Sequence, residues 1–153
     1  MPLTPLHLGP GLAAKVVGGR FFSLTAYIIA NLLIDVEPAF KFVVTPSEPL
    51  HTLHTPEAGL VFAIAATVAA VLPPFRCSWI ASAVGAVVGI ATHLFFDALY
   101  HYDVAQNFGV PDLALLFPPT MLEIWLAMMI MVFAGKCWRA VRPAPWCTTA
   151  AAA

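Results

Sequence analysis

Residues 78–101 read SWIASAVGAVVGIATHLFFDALYH. A helix needs about 20 mostly apolar residues to cross the hydrocarbon core of a bilayer, and this stretch has that length with no charged residue before Asp97. Its second half carries His93-x-x-x-Asp97-x-x-x-His101, which sets an imidazole, a carboxylate and a second imidazole on successive turns of one helix face. Ionisable groups at membrane depth are functional hypotheses by default. The plain alternative is a buried polar network joining helices, worth about 0.6–2 kcal/mol per hydrogen bond in a membrane; the spacing favours a metal.

The rest of the chain supports a membrane setting. Of 153 residues, 61% are hydrophobic and 10% charged, and mean hydropathy is +0.88, against about 45–50% apolar and about 25% charged in soluble proteins. Apolar segments at 21–36, 57–72, 78–100 and 116–135 predict an all-α integral membrane bundle of about four transmembrane helices. Pro38 is expected to stop the first segment, leaving loops at 37–56 and 102–119. Residues 1–17 carry Pro2, Pro5 and Pro10 without the early positive charge of a signal peptide, and read as a short packed or interfacial segment. One membrane-embedded domain over 1–142 is expected, followed by a flexible tail over 143–153. The net charge of −1 gives no basic stripe for a phosphate backbone, so nucleic acid is excluded as a partner and membrane lipids are the expected surroundings. Cys77, Cys137 and Cys147 share no ligand spacing and read as free thiols.

Basic residues orient the bundle, because short cytoplasmic loops collect Lys and Arg. Arg20, Arg76, Lys136, Arg139 and Arg142 fall on one side; the other has Lys41 as its only basic residue. That non-cytoplasmic side receives Asp35, Glu37, His51, His54, Asp97, His101 and Asp103. His7 lies near Lys15 and Arg20, yet a helix over 7–19 rises about 20 Å and carries it most of the way back.

Taken singly, Asp35-x-Glu37 reads as a helix end and His51-x-x-His54 as a polar loop beside Thr52, Thr55 and Pro56; Glu123, inside the fourth segment, has no assigned role. Together they form a set of imidazole and carboxylate donors that zinc, manganese or iron accepts at neutral pH. The donor count exceeds the needs of one tetrahedral ion, so one or two ions are expected, held by His7, Asp35, His51, His54, His93, Asp97 and His101. Such ions bind a phosphoryl oxygen and lower the pKa of bound water to about 7. With Glu37 or Asp103 as general base, the chemistry is hydrolysis.

Four stretches carry a resemblance: MPLTPLHLGP at 1–10, ANLLIDVEP at 30–38, HTLHT at 51–55 and THLFFDALYH at 92–101. Over about residues 2–112 they resemble a bacterial inner-membrane family of metal-dependent hydrolases, itself distantly similar to zinc-dependent phospholipase C. The resemblance implies that His7, Asp35, His51, His54, His93 and Asp97 bind metal, that zinc is the ion, and that the substrate is a phosphoester such as a lipid headgroup. The loop after His54 is shorter here than in some members.

Two other function classes fit the composition. A small accessory subunit would present its histidines to partner membrane subunits, or to a second copy of itself. An ion relay would need polar groups continuing toward the cytoplasm, and no inverted repeat supports it. Convergence of His51, His54, His93 and Asp97 separates the hydrolase from both.

Overall fold

The computed structural model describes residues 8–44 and 51–109, and every regular element among them is helical. Helix α1 (Leu8–Gly18) leads through a single 3-10 turn (Gly19–Phe21) into α2 (Leu24–Val44), followed by α3 (Pro56–Val71), α4 (Trp79–Tyr100) and α5 (Tyr102–Asn107). Local chemistry sets these limits. α1 stops where Gly19 takes a φ of 50°, a left-handed conformation that glycine enters at no steric cost. Lys15 donates to the carbonyls of Gly19 and Phe22 there, at 2.9 and 2.8 Å. α3 starts at Thr55, whose hydroxyl accepts from the Ala58 N–H at 3.3 Å, with Pro56 at the first helical position and Glu57 in the first turn. α4 ends at His101, whose extended backbone turns the chain into α5.

α4 lies against both α2 and α3, and those two also touch each other. Their shared core is made largely of small side chains: Ala26 and Ala30 from α2, Ala63, Ala66 and Ala70 from α3, and Ala86 from α4, joined by Ile34, Ile90 and Leu94. Small residues let helix backbones approach closely. A Cβ placed on Gly85 would stand 2.2 Å from the Ser23 carbonyl oxygen, and one on Gly89 would stand 3.0 Å from the Tyr27 carbonyl oxygen and 3.2 Å from Asn31 Nδ2. This close crossing brings Asn31 and Asp35 of α2 beside His93 of α4. The large apolar side chains face outward: Leu32, Val36 and Phe40 on α2, Leu60, Val61 and Ile64 on α3, Ile80, Val87 and Phe95 on α4 are all exposed.

Several expectations change. One helix among the described residues, over Trp79–Leu99, is long and apolar enough to cross a membrane; α3 is apolar but has only 16 residues. The fourth segment, the tail, Glu123, Lys136, Arg139, Arg142 and His7 lie outside the described residues. Pro38 does not stop α2, which runs through it to Val44. Proline removes the bond its own N–H would make to a carbonyl four residues back and crowds that carbonyl, but the Glu37–Lys41 ion pair, 2.7 Å across one turn, spans the position. Residues 102–107 form α5 instead of a loop because Val104 and Ala105 bury themselves against Ala98. Cys77 is disulfide-bonded, which corrects its reading as a free thiol; Cys137 and Cys147 lie outside the described residues.

Candidate metal centre

Three elements deliver one cluster. Asp35 comes from α2, His54 from the turn before α3, and His93 and Asp97 from adjacent turns of α4. Asp97 Oδ2 stands 3.0 Å from His93 Nε2 and 3.2 Å from His54 Nε2, and Asp35 Oδ1 stands 3.3 Å from His93 Nε2. Both imidazoles are fully buried, while the Asp35 side chain is 28% exposed and marks the open side. One donor atom each from Asp35, His54 and His93 lie within 4.8 Å of one another, so the group could hold a metal ion.

The orientation of His93 is set from behind. Asn31 Nδ2 donates to the Tyr27 carbonyl at 2.8 Å, which fixes the amide so that its oxygen faces His93 Nδ1, 3.0 Å away. An amide oxygen only accepts, so Nδ1 carries the proton and donates. In the neutral ring, the Nε2 lone pair then points at two carboxylates. A lone pair facing two anions needs a cation between them, and a ligating histidine whose other N–H is held by an oxygen acceptor is the usual arrangement in metal sites. Asn31→Leu is therefore expected to weaken divalent-metal affinity about 10–100-fold while keeping the fold; unchanged affinity by titration would remove this role.

His54 carries the clearest signal. It is 0% exposed, and neither ring nitrogen makes a hydrogen bond, although Nε2 lies 3.2 Å from Asp97 and Nδ1 3.9 Å from Glu37. A buried polar group left unsatisfied costs about 1–3 kcal/mol. A bound ion at Nε2 would relieve that cost, and the donor set, imidazole nitrogen with carboxylate oxygen, is one that divalent transition metals accept. The residues fit the group.

A second cluster adjoins the first. His51 Nδ1 stands 3.0 Å from Asp103 Oδ2, and the His51 and His101 rings lie 4.3 Å apart at 31°. The geometry thus splits the expected ligands into two sets, Asp35, His54, His93 and Asp97 in one and His51 and His101 in the other, and Asp103, expected as a general base, joins the second as a potential ligand. Burial and then the neighbouring His51 lower the His101 pKa. Burial raises that of Asp103, but the hydrogen bonds from His51 and the Val104 N–H, with the His51 and His101 rings nearby, together outweigh it and hold the carboxyl below its usual range.

Glu37, expected as a general base, is occupied. Its carboxylate accepts from the Thr52 hydroxyl, from the Thr52 N–H at 3.2 Å and from the Leu53 N–H at 2.6 Å, and pairs with Lys41. Burial pushes its pKa up, yet Lys41, Thr52 and Leu53 together bring it below the usual carboxylate range. A weakly basic carboxylate with so many donors is a fastener: it fixes the turn that aims His51 and His54. Because the folded-state pKa is depressed, the stabilisation is present above the ordinary carboxylate range and is lost as pH falls through the lowered value. Glu37→Gln should lower the melting temperature at neutral pH and flatten its fall toward acid; parallel acid profiles for both proteins would contradict this.

Asn31, Lys41 and the Thr52 and Leu53 amides were not legible as site residues from the sequence. Asn31 did leave a trace, since it is a polar side chain in an apolar segment one turn before Asp35. No protein-family profile, curated protein or solved structure matches the chain.

Proposed function

We propose that the protein is a membrane-bound metal-dependent hydrolase acting on a phosphoester, with a divalent ion, zinc first, held by Asp35, His54, His93 and Asp97. The buried His54 with no hydrogen bond on either nitrogen carries this reading, because it is best explained by a ligand that both the burial and the nearby carboxylates call for. A divalent ion in this setting supplies Lewis acidity toward a phosphoryl oxygen and acidifies water to near neutrality. The chain's own residues do the rest. Asn31 holds the His93 ring and leaves Nε2 facing the cluster, Glu37 locks the 51–54 turn, and the partly exposed Asp35 edge gives access. With water acidified in this way, hydrolysis does not depend on Glu37 as a base.

The membrane setting is supported by the inverted burial pattern. Small residues fill the core while Leu60, Val61, Ile64, Ile80, Val87 and Phe95 point outward, as suits helices whose solvent is lipid. We place the protein in the bacterial inner membrane as a multi-pass bundle with the cluster away from the cytoplasm, because Arg20 and Arg76 lie at the end opposite Glu37 and Asp103. Of the four residues expected to converge, His54, His93 and Asp97 do, while His51 lies with His101 and Asp103; the three that meet support the hydrolase over an accessory subunit with dispersed histidines. Protein purified in detergent should hydrolyse a generic phosphodiester, lose the activity to a chelator and regain it with Zn²⁺. Full metal loading without hydrolysis of any phosphomonoester or phosphodiester would move the reading to a structural metal site.

A further inference from the structure

The two histidines of His51-x-x-His54 do not serve one cluster. His54 faces Asp97 and His93, whereas His51 faces Asp103 and His101, and the two rings meet edge to face at 4.9 Å. The α4 pair splits in the same way: Asp97 lies with His54, and His101, one turn on, lies with His51. A single ion would draw all four side chains to one point. Instead, the turn and the end of α4 run side by side and offer donors at two neighbouring points, and one donor atom each from His51, His101 and Asp103 fall within 4.8 Å of one another.

From this placement we infer that His51, His101 and Asp103 form a second divalent-cation site beside the first, making the centre a two-ion one. Two imidazoles with one carboxylate suit zinc or another transition-metal ion in preference to magnesium or calcium, which take oxygen donors. His51 is 7% exposed and supplies the buried wall, while the Asp103 side chain is 47% exposed and leaves the site open to solvent. Paired sites of this kind hold their ions about 3.5–4 Å apart, a separation that neighbouring imidazoles on one turn can serve. The second ion deepens the proposed hydrolase and rests on the reading of the first cluster as a metal site.

The test is the zinc content of the full-length protein in detergent, stripped with chelator, reloaded with Zn²⁺ alone and freed of excess. Two equivalents are expected in the native protein, falling to one in His101→Ala and in Asp103→Asn, and to no more than one in the His93→Ala, Asp97→Ala double variant. One equivalent in the native protein, unchanged by His101→Ala and removed by the double variant, would overturn the second site and leave the first standing. Two equivalents retained by both His101→Ala and Asp103→Asn, with native helicity by circular dichroism, would overturn it as well. No zinc in the native protein would overturn both. Should His101→Ala fail to fold, Asp103→Asn decides alone, because its half-exposed side chain is the least costly of the three to change.

Discussion

His54→Ala is expected to weaken zinc binding by more than the roughly 10–100-fold typical of losing a residue that merely supports a ligand, and to abolish phosphoester hydrolysis with it. The ring nitrogens of His54 make no hydrogen bond that the variant would lose, and the backbone bonds from Asn107 and to His51 stay, so metal affinity separates two accounts. The variant leaves the same cavity under both, its cost partly offset because a buried unsatisfied group is removed. If the ring is a ligand, affinity collapses; if the ring is only packing, zinc affinity stays where it was. Isothermal titration and thermal unfolding on the same preparations read both quantities. Unchanged affinity with a lowered melting temperature would remove His54 from the metal centre.

The second large effect belongs to a residue far from any ligand. Gly85→Leu should open the α2–α4 crossing, because even a Cβ there would meet the Ser23 carbonyl oxygen at 2.2 Å, and backbone cannot step aside as a flexible side chain can. Overpacking a closely fitted interface typically costs about 1–3 kcal/mol, and this one meets main chain, so the upper end or more is expected. The site should suffer too. Moving α2 outward carries Asn31 and Asp35 away from His93, so zinc affinity should fall in a protein whose ligands are all intact. A Gly85→Leu protein with native melting temperature and native zinc affinity would show that the close crossing does not position the centre.

The helical segments were legible because apolar runs are long and their edges chemically marked. Thr55-Pro56-Glu57 announces the start of α3, and the run from Ser78 to Tyr100 announces α4, each within a residue or so of the observed limits. Two limits were missed for one reason: tertiary contacts outvoted local signals. Pro38 reads as a stop in isolation, but Glu37 and Lys41 grip the 51–54 turn from α2 and carry the helix past it. Tyr102–Asn107 has too few residues to form a helix by itself, and becomes one by burying Val104 and Ala105. For the site, spacing along α4 correctly brought His93 and Asp97 together, because i and i+4 share a face. The same rule wrongly suggested that His101 joins them; the helix ends at Tyr100, and His101 turns toward His51 instead. Asn31 was passed over because its partner is 62 residues away, a distance that no local pattern encodes. Glu37 was misread for a related reason, since a carboxylate near histidines looks like a base until the amides that occupy it are seen.

The competing account of the first cluster replaces the ion by a proton: His93 as an imidazolium between Asp35 and Asp97, with no metal at all. Elemental analysis of the protein purified without added metal, beside the His93→Ala, Asp97→Ala double variant, discriminates between them most directly. At least one equivalent of zinc, manganese or iron in the native protein, and at least one equivalent fewer in the variant that removes two members of the Asp35, His54, His93 and Asp97 cluster, is the predicted result. Metal-free native protein that also takes up none on addition of Zn²⁺, with a double variant that still folds, would contradict it.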